Sequence, residues 1–462
     1  MELCVFLIKK IIFLKKNKMG SSIGNYIKNK RKPIRNILYG IIPFKYRYGK
    51  KYLEFLSLIK KSKSWSYDQA KNYQLQKTRE VLKLANDNVP YYRNLFKENG
   101  FDFKIKKLDD LNLLPILTKE IIIDNFSSLI NQNFNGKTYK MNSSGTTGKR
   151  LEILGTDDLF KIEAAFITNA FNEHGANLYD QHSIWIRRYS PGPKDPIFIN
   201  EPELNRSYMS AFNLNDNTIH DYVNHINLSK TEILVSYPST LFYFSVLCNK
   251  YGLRLKHVTH LHGASEVCLP YWRTKIKDNL GIEIKMHYGQ VEKVSFAHQD
   301  YENDFYKENL LYGLNEYDEN SIIIGTGFYN EVMPLIRYKT NDKVLFNNTC
   351  ELNNPYPKSI LDIEGRNGDM LVTDSNSFVP AVNFYSFMSK IDEVDMFQII
   401  QRKEDKSLMF YIIPNEKFNT DTENKLRQEM INRLGGVKIE IIKVKQLERD
   451  IKSNKLKTIS LI

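Results

Sequence analysis

The stretch Asn142-Ser143-Ser144-Gly145-Thr146-Thr147-Gly148-Lys149 packs four hydroxyls, two glycines and one ammonium into eight positions. Glycine lets a backbone approach an anion closely, and hydroxyls and an ammonium aim donors at it, so phosphate binding is the chemistry on offer. The spacing is not that of a Walker loop, which needs four residues between its first glycine and its Gly-Lys pair; only two separate Gly145 from Gly148. A Walker loop also leads into a helix, whereas Arg150 to Leu154 alternates like a strand. Taken alone, the stretch reads equally as a polar turn in a hairpin.

Other chemically competent groups follow in order. They are Gly263-Ala264-Ser265-Glu266, His287-Tyr288-Gly289-Gln290-Val291-Glu292, Pro334-Leu335-Ile336-Arg337-Tyr338-Lys339-Thr340-Asn341-Asp342 and Gly365-Arg366-Asn367-Gly368-Asp369. Lys455 closes the series in Ser453-Asn454-Lys455-Leu456-Lys457. With Val89-Pro90-Tyr91-Tyr92-Arg93, Leu114-Pro115-Ile116-Leu117-Thr118-Lys119 and Ser236-Tyr237-Pro238-Ser239, the chain resembles the adenylate-forming superfamily. Within it, the likeness is to the branch of phenylacetate–coenzyme A ligases and CapK-type capsule-biosynthesis proteins. It runs from about Val89 to the C-terminus.

The resemblance implies ATP-dependent adenylation of a small-molecule carboxylate, with loss of pyrophosphate, followed by transfer to an acceptor that the residues do not identify. An anion must then approach a polyanion, so the site has to supply positive charge and donors where negative charge builds. On that basis Ser143, Ser144, Gly145, Thr146, Thr147, Gly148 and Lys149 are expected to hold the departing phosphates, with a merely solvated Lys149 as the alternative. Glu292 is expected to anchor Mg2+, a hard cation that prefers oxygen ligands. Tyr288 and Gly289 would stack on and border the adenine. Ser265 and Glu266 would lie near its edge, or Glu266 would serve as an acid at a helix N-terminus. Asp342 would accept both ribose hydroxyls, with Arg366 assisting at a hinge. Lys455 would bridge the substrate carboxylate and the α-phosphate.

Four positions depart from the family pattern: Val291 lacks a hydroxyl, Asn341 and Asn454 replace glycines, and Gly368 replaces a hinge acid. None removes a charged catalytic group, so an active CapK-type ligase is expected, with capsular or surface-polysaccharide synthesis as the setting the resemblance implies. The alternatives are an aryl- or acyl-CoA ligase, with coenzyme A as acceptor, and a catalytically silent nucleotide-binding scaffold of a glycan-assembly complex. His262, His287 and His298 stand among the residues expected to line the acid pocket, and isolated histidines are more often structural.

These groups need elements to position them. Tyr46 to Asn125 is patterned as helices, with a stretch over Asp68–Ala85, a break at Asn88–Tyr92 and a helix start at Thr118. From Lys137 short apolar strands alternate with helices: Leu151–Leu154, Ser183–Ile186, Ile233–Val235, Val258–Leu261, Ile282–Met286 and Ile322–Ile324, with helices over Thr240–Tyr251 and Tyr271–Asn279. That alternation predicts a layered α/β fold. Near the C-terminus, strands over Met396–Gln401, Ser407–Ile413 and Val437–Val444 enclose a helix with Leu426, Met430 and Leu434 on one face, stopped by Gly435-Gly436. The expected class is therefore α/β, with a large layered domain over 37–364 and a smaller C-terminal α+β domain over 365–462; the resemblance implies that the first is the adenylating (AMP-binding) domain and the second is mobile.

Composition bounds the rest. The 462 residues are 42% hydrophobic and 26% charged, which excludes disordered, collagenous and coiled-coil classes. Four widely spaced cysteines fit a reducing, cytoplasmic setting and argue against a zinc ribbon. The formal charge is +13, but residues 1–36 hold ten basic side chains against one acid, a net +9 that leaves +4 on the other 426 positions. No basic stripe is left to favour specific nucleic-acid binding. Within this arm, Leu3–Ile8 and Ile11–Leu14 are apolar runs split by Lys9-Lys10, too short to span a bilayer but suited to peripheral contact with an anionic inner-membrane surface. An extension docked on the body, or residues upstream of a start at Met19, are the alternatives.

Overall fold

The structure is a computed structural model. It describes residues 47–142, 151–178, 181–187, 196–211, 213–300, 302, 305–346, 360–366, 370–376, 378–380, 384, 387–388, 391–449, 456 and 458–462, a few of them by backbone alone. The helical lead-in comprises α1 (Lys50–Ser62), α2 (Tyr67–Asn88), α3 (Pro90–Glu98) and α4 (Lys119–Asp124). Local chemistry sets these ends. Ser66 and Gln69 form a reciprocal capping box at α2, and the Thr118 hydroxyl accepts from the Ile121 amide at α4. The break between α2 and α3 is one extended residue, the buried Val89, because Pro90 already has the backbone angle a first helical position needs.

An antiparallel hairpin follows, β1 (Tyr139–Asn142) and β2 (Glu152–Gly155), whose last pair is Asn142 with Glu152. Leu151 and Ile153 are buried, as the alternation predicts. Next come α5 (Asp157–Glu173), β3 (Ser183–Arg187), β4 (Phe198–Glu201), β5 (Arg206–Ser210), α6 (Ile219–Leu228), β6 (Ile233–Ser236) and α7 (Pro238–Lys250). The chain continues through β7 (His260–Ala264), α8 (Pro270–Leu280), β8 (Ile284–Gly289), β9 (Phe296–Gln299) and β10 (Tyr306–Glu308). Then come β11 (Gly313–Tyr317), β12 (Ile322–Gly327), β13 (Tyr338–Phe346) and β14 (Ile360–Arg366).

Twelve of these strands form one mixed sheet in the order β11-β12-β13-β14-β10-β9-β8-β7-β6-β3-β5-β4. Its centre, β5-β3-β6-β7-β8, is parallel. Strand β3 has β5 on one side and β6 on the other, so the winding direction reverses beside it. Strands β7 and β8 begin two residues later than the apolar pattern predicts and run on through Gly263 and His287. Strands covered on both faces lose the alternation that marks a boundary.

Beyond β14 lie the short hairpin β15 (Met370–Val372) and β16 (Phe378–Pro380), and a four-stranded sheet. That sheet contains β17 (Val394–Gln401), β18 (Leu408–Pro414), β19 (Ile439–Lys443) and β20 (Ile459–Leu461), in the order β19-β18-β17-β20. Helix α9 (Thr420–Leu434) covers it with Leu426, Met430 and Leu434, each fully buried, a contribution of roughly 1.5–3 kcal/mol apiece. This α+β unit leans on α8 through a Tyr271–Phe397 ring contact and an exposed Lys275–Asp392 ion pair. The molecule is thus a large α/β layer structure with a smaller C-terminal α+β part.

Candidate active site

In open α/β sheets, ligands bind beyond the carboxyl ends of parallel strands, where the winding direction reverses. Here those ends are Arg187 on β3, Tyr237-Pro238-Ser239 after β6, Ser265-Glu266 after β7 and Gly289 to Lys293 at and after β8. The reversal lies between β3 and β6, and the Arg187 guanidinium spans it, 4.7 Å from the Tyr237 ring. Five candidate residues separated in sequence, Ser265, Glu266, Tyr288, Gly289 and Glu292, therefore share one edge of the sheet.

Strand β13 brings the sixth. Between the pairs Ile324–Lys339 and Ile322–Lys343, three residues of β13 oppose one of β12, which is a bulge over Thr340–Asp342. The Thr340 hydroxyl pins it by donating to the Ile323 carbonyl at 2.9 Å and accepting the Asp342 amide at 3.1 Å. Asp342 then receives the Tyr288 hydroxyl at 2.7 Å, across 54 positions of sequence. Burial and the adjacent Asp342 charge push the Tyr288 phenol well above its usual range, so it remains a donor. The register of β14 sets Arg366 opposite Asp342.

Glu292 sits in a turn after β8 that closes with the Lys293 amide on the Gln290 carbonyl, and Lys293 adopts a left-handed backbone. The Tyr338 hydroxyl donates to Glu292 Oε1 at 3.3 Å, tying this turn to the same strand that carries Asp342. Lys293 and Glu163 of α5 form a largely buried ion pair at 2.7 Å, clamping the turn to the helix that follows the hairpin. Val291 packs in the core shared by Met141, Leu151, Ile153 and Tyr338, so its apolar side chain has a structural use.

Glu266 meets a helix N-terminus. Its Oε2 accepts the Ser239 amide at 3.2 Å, in the first turn of α7, so it sits at the N-terminus of the neighbouring helix rather than its own. Ser265 is exposed and left-handed, turning the chain away from β7.

Residues 143–149 and Lys455 lie outside the described residues, as does the side chain of Arg366. The hairpin that bounds residues 143–150 is anchored by Met141 and Leu151 in the same core as Val291 and Tyr338. Leu456, next to Lys455, is buried in the core built around α7.

The histidines form a buried row under α5. His262 Nε2 and His287 Nδ1 share a hydrogen bond at 2.6 Å, and His298 meets Glu173 at 2.6 Å. His174, which the sequence reading did not single out, joins them by bonding the Gln299 carbonyl. Burial lowers His174 to about 4 and His287 to about 3, so both are neutral near pH 7. A cavity of about 340 Å³ lined in part by His174, His260 and His262 opens beside the start of β7, at the other end of the strands. Among the described residues, no trio of His, Cys, Asp or Glu is placed to hold a metal ion alone.

Sequence reasoning gave no roles to Tyr338, Glu163, Lys293 and Arg187. Tyr338 was visible within the Pro334–Asp342 stretch, but nothing in spacing signals Glu163, which lies 130 positions from its partner.

No protein-family model matches the chain. Over 442 residues it is 25% identical to the protein CapK of Staphylococcus aureus, covering 89% of this chain and 93% of CapK. Its fold matches a 2-hydroxyisobutyryl-CoA ligase solved in the postadenylation state. With R3-HIB-AMP bound, the match has a TM-score of 0.65 at 13% identity, over 84% of this chain and 88% of that one. With 2-HIB-AMP bound, the TM-score is 0.60 at the same identity and coverage.

Proposed function

We propose that this chain belongs to the CapK-like branch of the adenylate-forming superfamily and is an ATP-dependent ligase that converts a carboxylate to its acyl-adenylate and passes the acyl group to an acceptor. The observation that carries the reading is the convergence at the strand ends. Tyr288 and Asp342 are hydrogen-bonded at 2.7 Å, and Glu292 is tied to the same β13 strand by Tyr338.

In this reading Tyr288 and Gly289 border the adenine, with Ser265 and Glu266 near its edge. Asp342 accepts from the ribose hydroxyls with Arg366 beside it. Residues 143–149 hold the phosphates that leave. Glu292 fits a Mg2+ ligand in type: a carboxylate brings negative charge and several acceptor lone pairs, and the Tyr338 phenol that donates to its Oε1 holds it toward β13. Because no protein trio is available among the described residues, such an ion would complete its shell with phosphate oxygens and water, as Mg2+ usually does. When bound, it would neutralise charge on the phosphates. Lys455 would offset the charge that builds between carboxylate and α-phosphate, and this requires residues 365–462 to close over residues 37–364.

The acceptor and setting are finer proposals. The CapK likeness over nearly the whole chain supports surface-polysaccharide synthesis. The structural resemblance to a CoA ligase supports coenzyme A as the alternative acceptor. No helix among the described residues is long and apolar enough to cross a membrane; residues 1–36, outside the described set, are proposed to touch an anionic membrane surface.

The test is carboxylate-dependent exchange of pyrophosphate into ATP across a panel of acids, for the wild type and Lys455→Ala. Exchange with some acid, lost in the variant, is expected. Exchange with no acid would favour a silent scaffold, and undiminished exchange in the variant would remove the role given to Lys455.

A further inference from the structure

The turn that carries Glu292 is fastened to the body from two sides. On one side, Lys293 Nζ meets both carboxylate oxygens of Glu163 on α5 at 2.7 Å, and the two side chains keep only 11% and 16% of their surface exposed. On the other, the backbone of Lys293 and Val294 enters a notch between Gly313 of β11 and Gly327 of β12, which are paired across the two strands. A Cβ at Gly313 would stand 2.1 Å from the Val294 carbonyl oxygen, and one at Gly327 would stand 2.7 Å from that of Lys293. Only glycine lets the chain come this close. Within the turn, Gln290 accepts the Lys293 amide on its carbonyl at 3.2 Å and the Ser295 amide on Oε1 at 3.1 Å.

Lys293 has φ +57°, in the left-handed region that a lysine enters at a cost. A strained residue persists where its surroundings over-determine it, and such residues cluster at functional sites. A largely buried ion pair is a weak account of net stability, since taking both charges out of water offsets much of their attraction. What this pair does supply is direction. Two equal contacts from one ammonium to both oxygens fix the Lys293 side chain, and with it the peptide that follows Glu292. Glu163 Oε1 also lies 3.8 Å from where a Cβ on Gly289 would stand, so one carboxylate borders both ends of the turn.

We propose that Lys293 and Glu163 are positioning residues that preset the Glu292 carboxylate for a divalent cation carried by the nucleotide. The proposal rests on the adenylation reading. With the turn clamped by Glu163, seated in the glycine notch and joined to β13 by Tyr338, Glu292 loses little further freedom when a cation arrives. Without the pair the turn can leave its left-handed conformation, and the ordering then has to be supplied at binding. Groups that orient a metal-binding side chain contribute roughly tenfold or more to metal affinity.

The test uses the full-length protein with Lys293→Gly, Lys293→Arg and Glu163→Gln. Lys293→Gly removes the ammonium and also relieves the left-handed backbone, so it should stay folded in a thermal melt. Glu163→Gln breaks the pair from the other side, so the outcome does not hang on one variant. Lys83→Ala serves as control, because it breaks an exposed ion pair of α2. The probe is Mn2+–ATP, titrated with protein and followed by water-proton relaxation, which needs no turnover. In parallel, pyrophosphate exchange is measured against Mg2+ concentration. Lys293→Gly and Glu163→Gln are expected to weaken Mn2+–ATP binding about tenfold and to raise the half-saturating Mg2+ about tenfold, with kcat at saturating Mg2+ within about threefold. Lys293→Arg, whose guanidinium can also meet both carboxylate oxygens, should stay within about threefold of the wild type. Lys83→Ala should match it. A folded Lys293→Gly with wild-type affinity for Mn2+–ATP would overturn the proposal, as would a Lys293→Arg as weak as Lys293→Gly. So would a wild type to which Mn2+–ATP does not bind. If the complex binds but no acid supports exchange, the adenylation reading fails, and the relaxation titrations still decide the clamp.

Discussion

Tyr288→Phe removes the hydroxyl through which β8 reaches Asp342 and keeps the ring that would border the adenine. A hydrogen bond to a charged acceptor contributes about 1.5–3 kcal/mol. Tyr288 and Asp342 are both half-buried, so the lower end applies, about 1.5 kcal/mol or roughly a tenfold change in an equilibrium constant. The backbone should stay in place, because Thr340 holds the bulge by bonds that do not involve Tyr288. Asp342 is proposed to grip the ribose equally before and during reaction, so the loss should fall on binding. The KM for ATP should rise roughly tenfold, with kcat within about twofold. The assay is initial-rate pyrophosphate exchange against ATP at saturating carboxylate, with a thermal melt to establish that the variant is folded. A folded variant with an unchanged KM for ATP, or with a lower kcat at constant KM, would refute the placement of Asp342 at the ribose.

Three other outcomes are expected. His174 and His287 are held neutral by burial, with folded-state values near 4 and 3 against an ordinary 6.5. The unfolded chain therefore takes up protons first as pH falls. Stability should be full above about pH 6.5 and decline toward pH 4, by up to about 3 kcal/mol for His174 alone, read as a falling urea midpoint; a flat midpoint over that range would contradict the burial of His174 and His287 as neutral imidazoles. Gly435 has φ +76° and ψ −144°, a backbone region open essentially to glycine, and a Cβ there would collide with the Asp374 carboxylate. Gly435→Ala should cost about 1–3 kcal/mol in a urea titration, and an unchanged midpoint would show that the turn relaxes freely. Deleting residues 1–36 should abolish flotation with phosphatidylserine vesicles while leaving pyrophosphate exchange intact, and binding that survives deletion would place membrane contact elsewhere.

Local rules made several elements legible without tertiary information. The break at Asn88–Tyr92, the Thr118 start and the three-residue apolar stripe of α9 depend on neighbours close in sequence, which sequence displays directly. The order of the chemical stretches likewise pointed to the superfamily. The starts of β7 and β8 were less legible, because doubly covered strands accept histidine and glycine without alternation.

What the sequence determined by itself was the order of its chemically competent stretches and the α/β layering that carries those the structure describes. Only the tertiary structure decided that Tyr288 reaches Asp342, that Tyr338 holds Glu292, that Glu163 clamps Lys293, and that Glu266 serves the helix after β6. Each of these contacts joins residues tens to hundreds of positions apart. Their meeting depends on strand order, register and a bulge, and these are set by how the whole sheet packs rather than by any local run of residues.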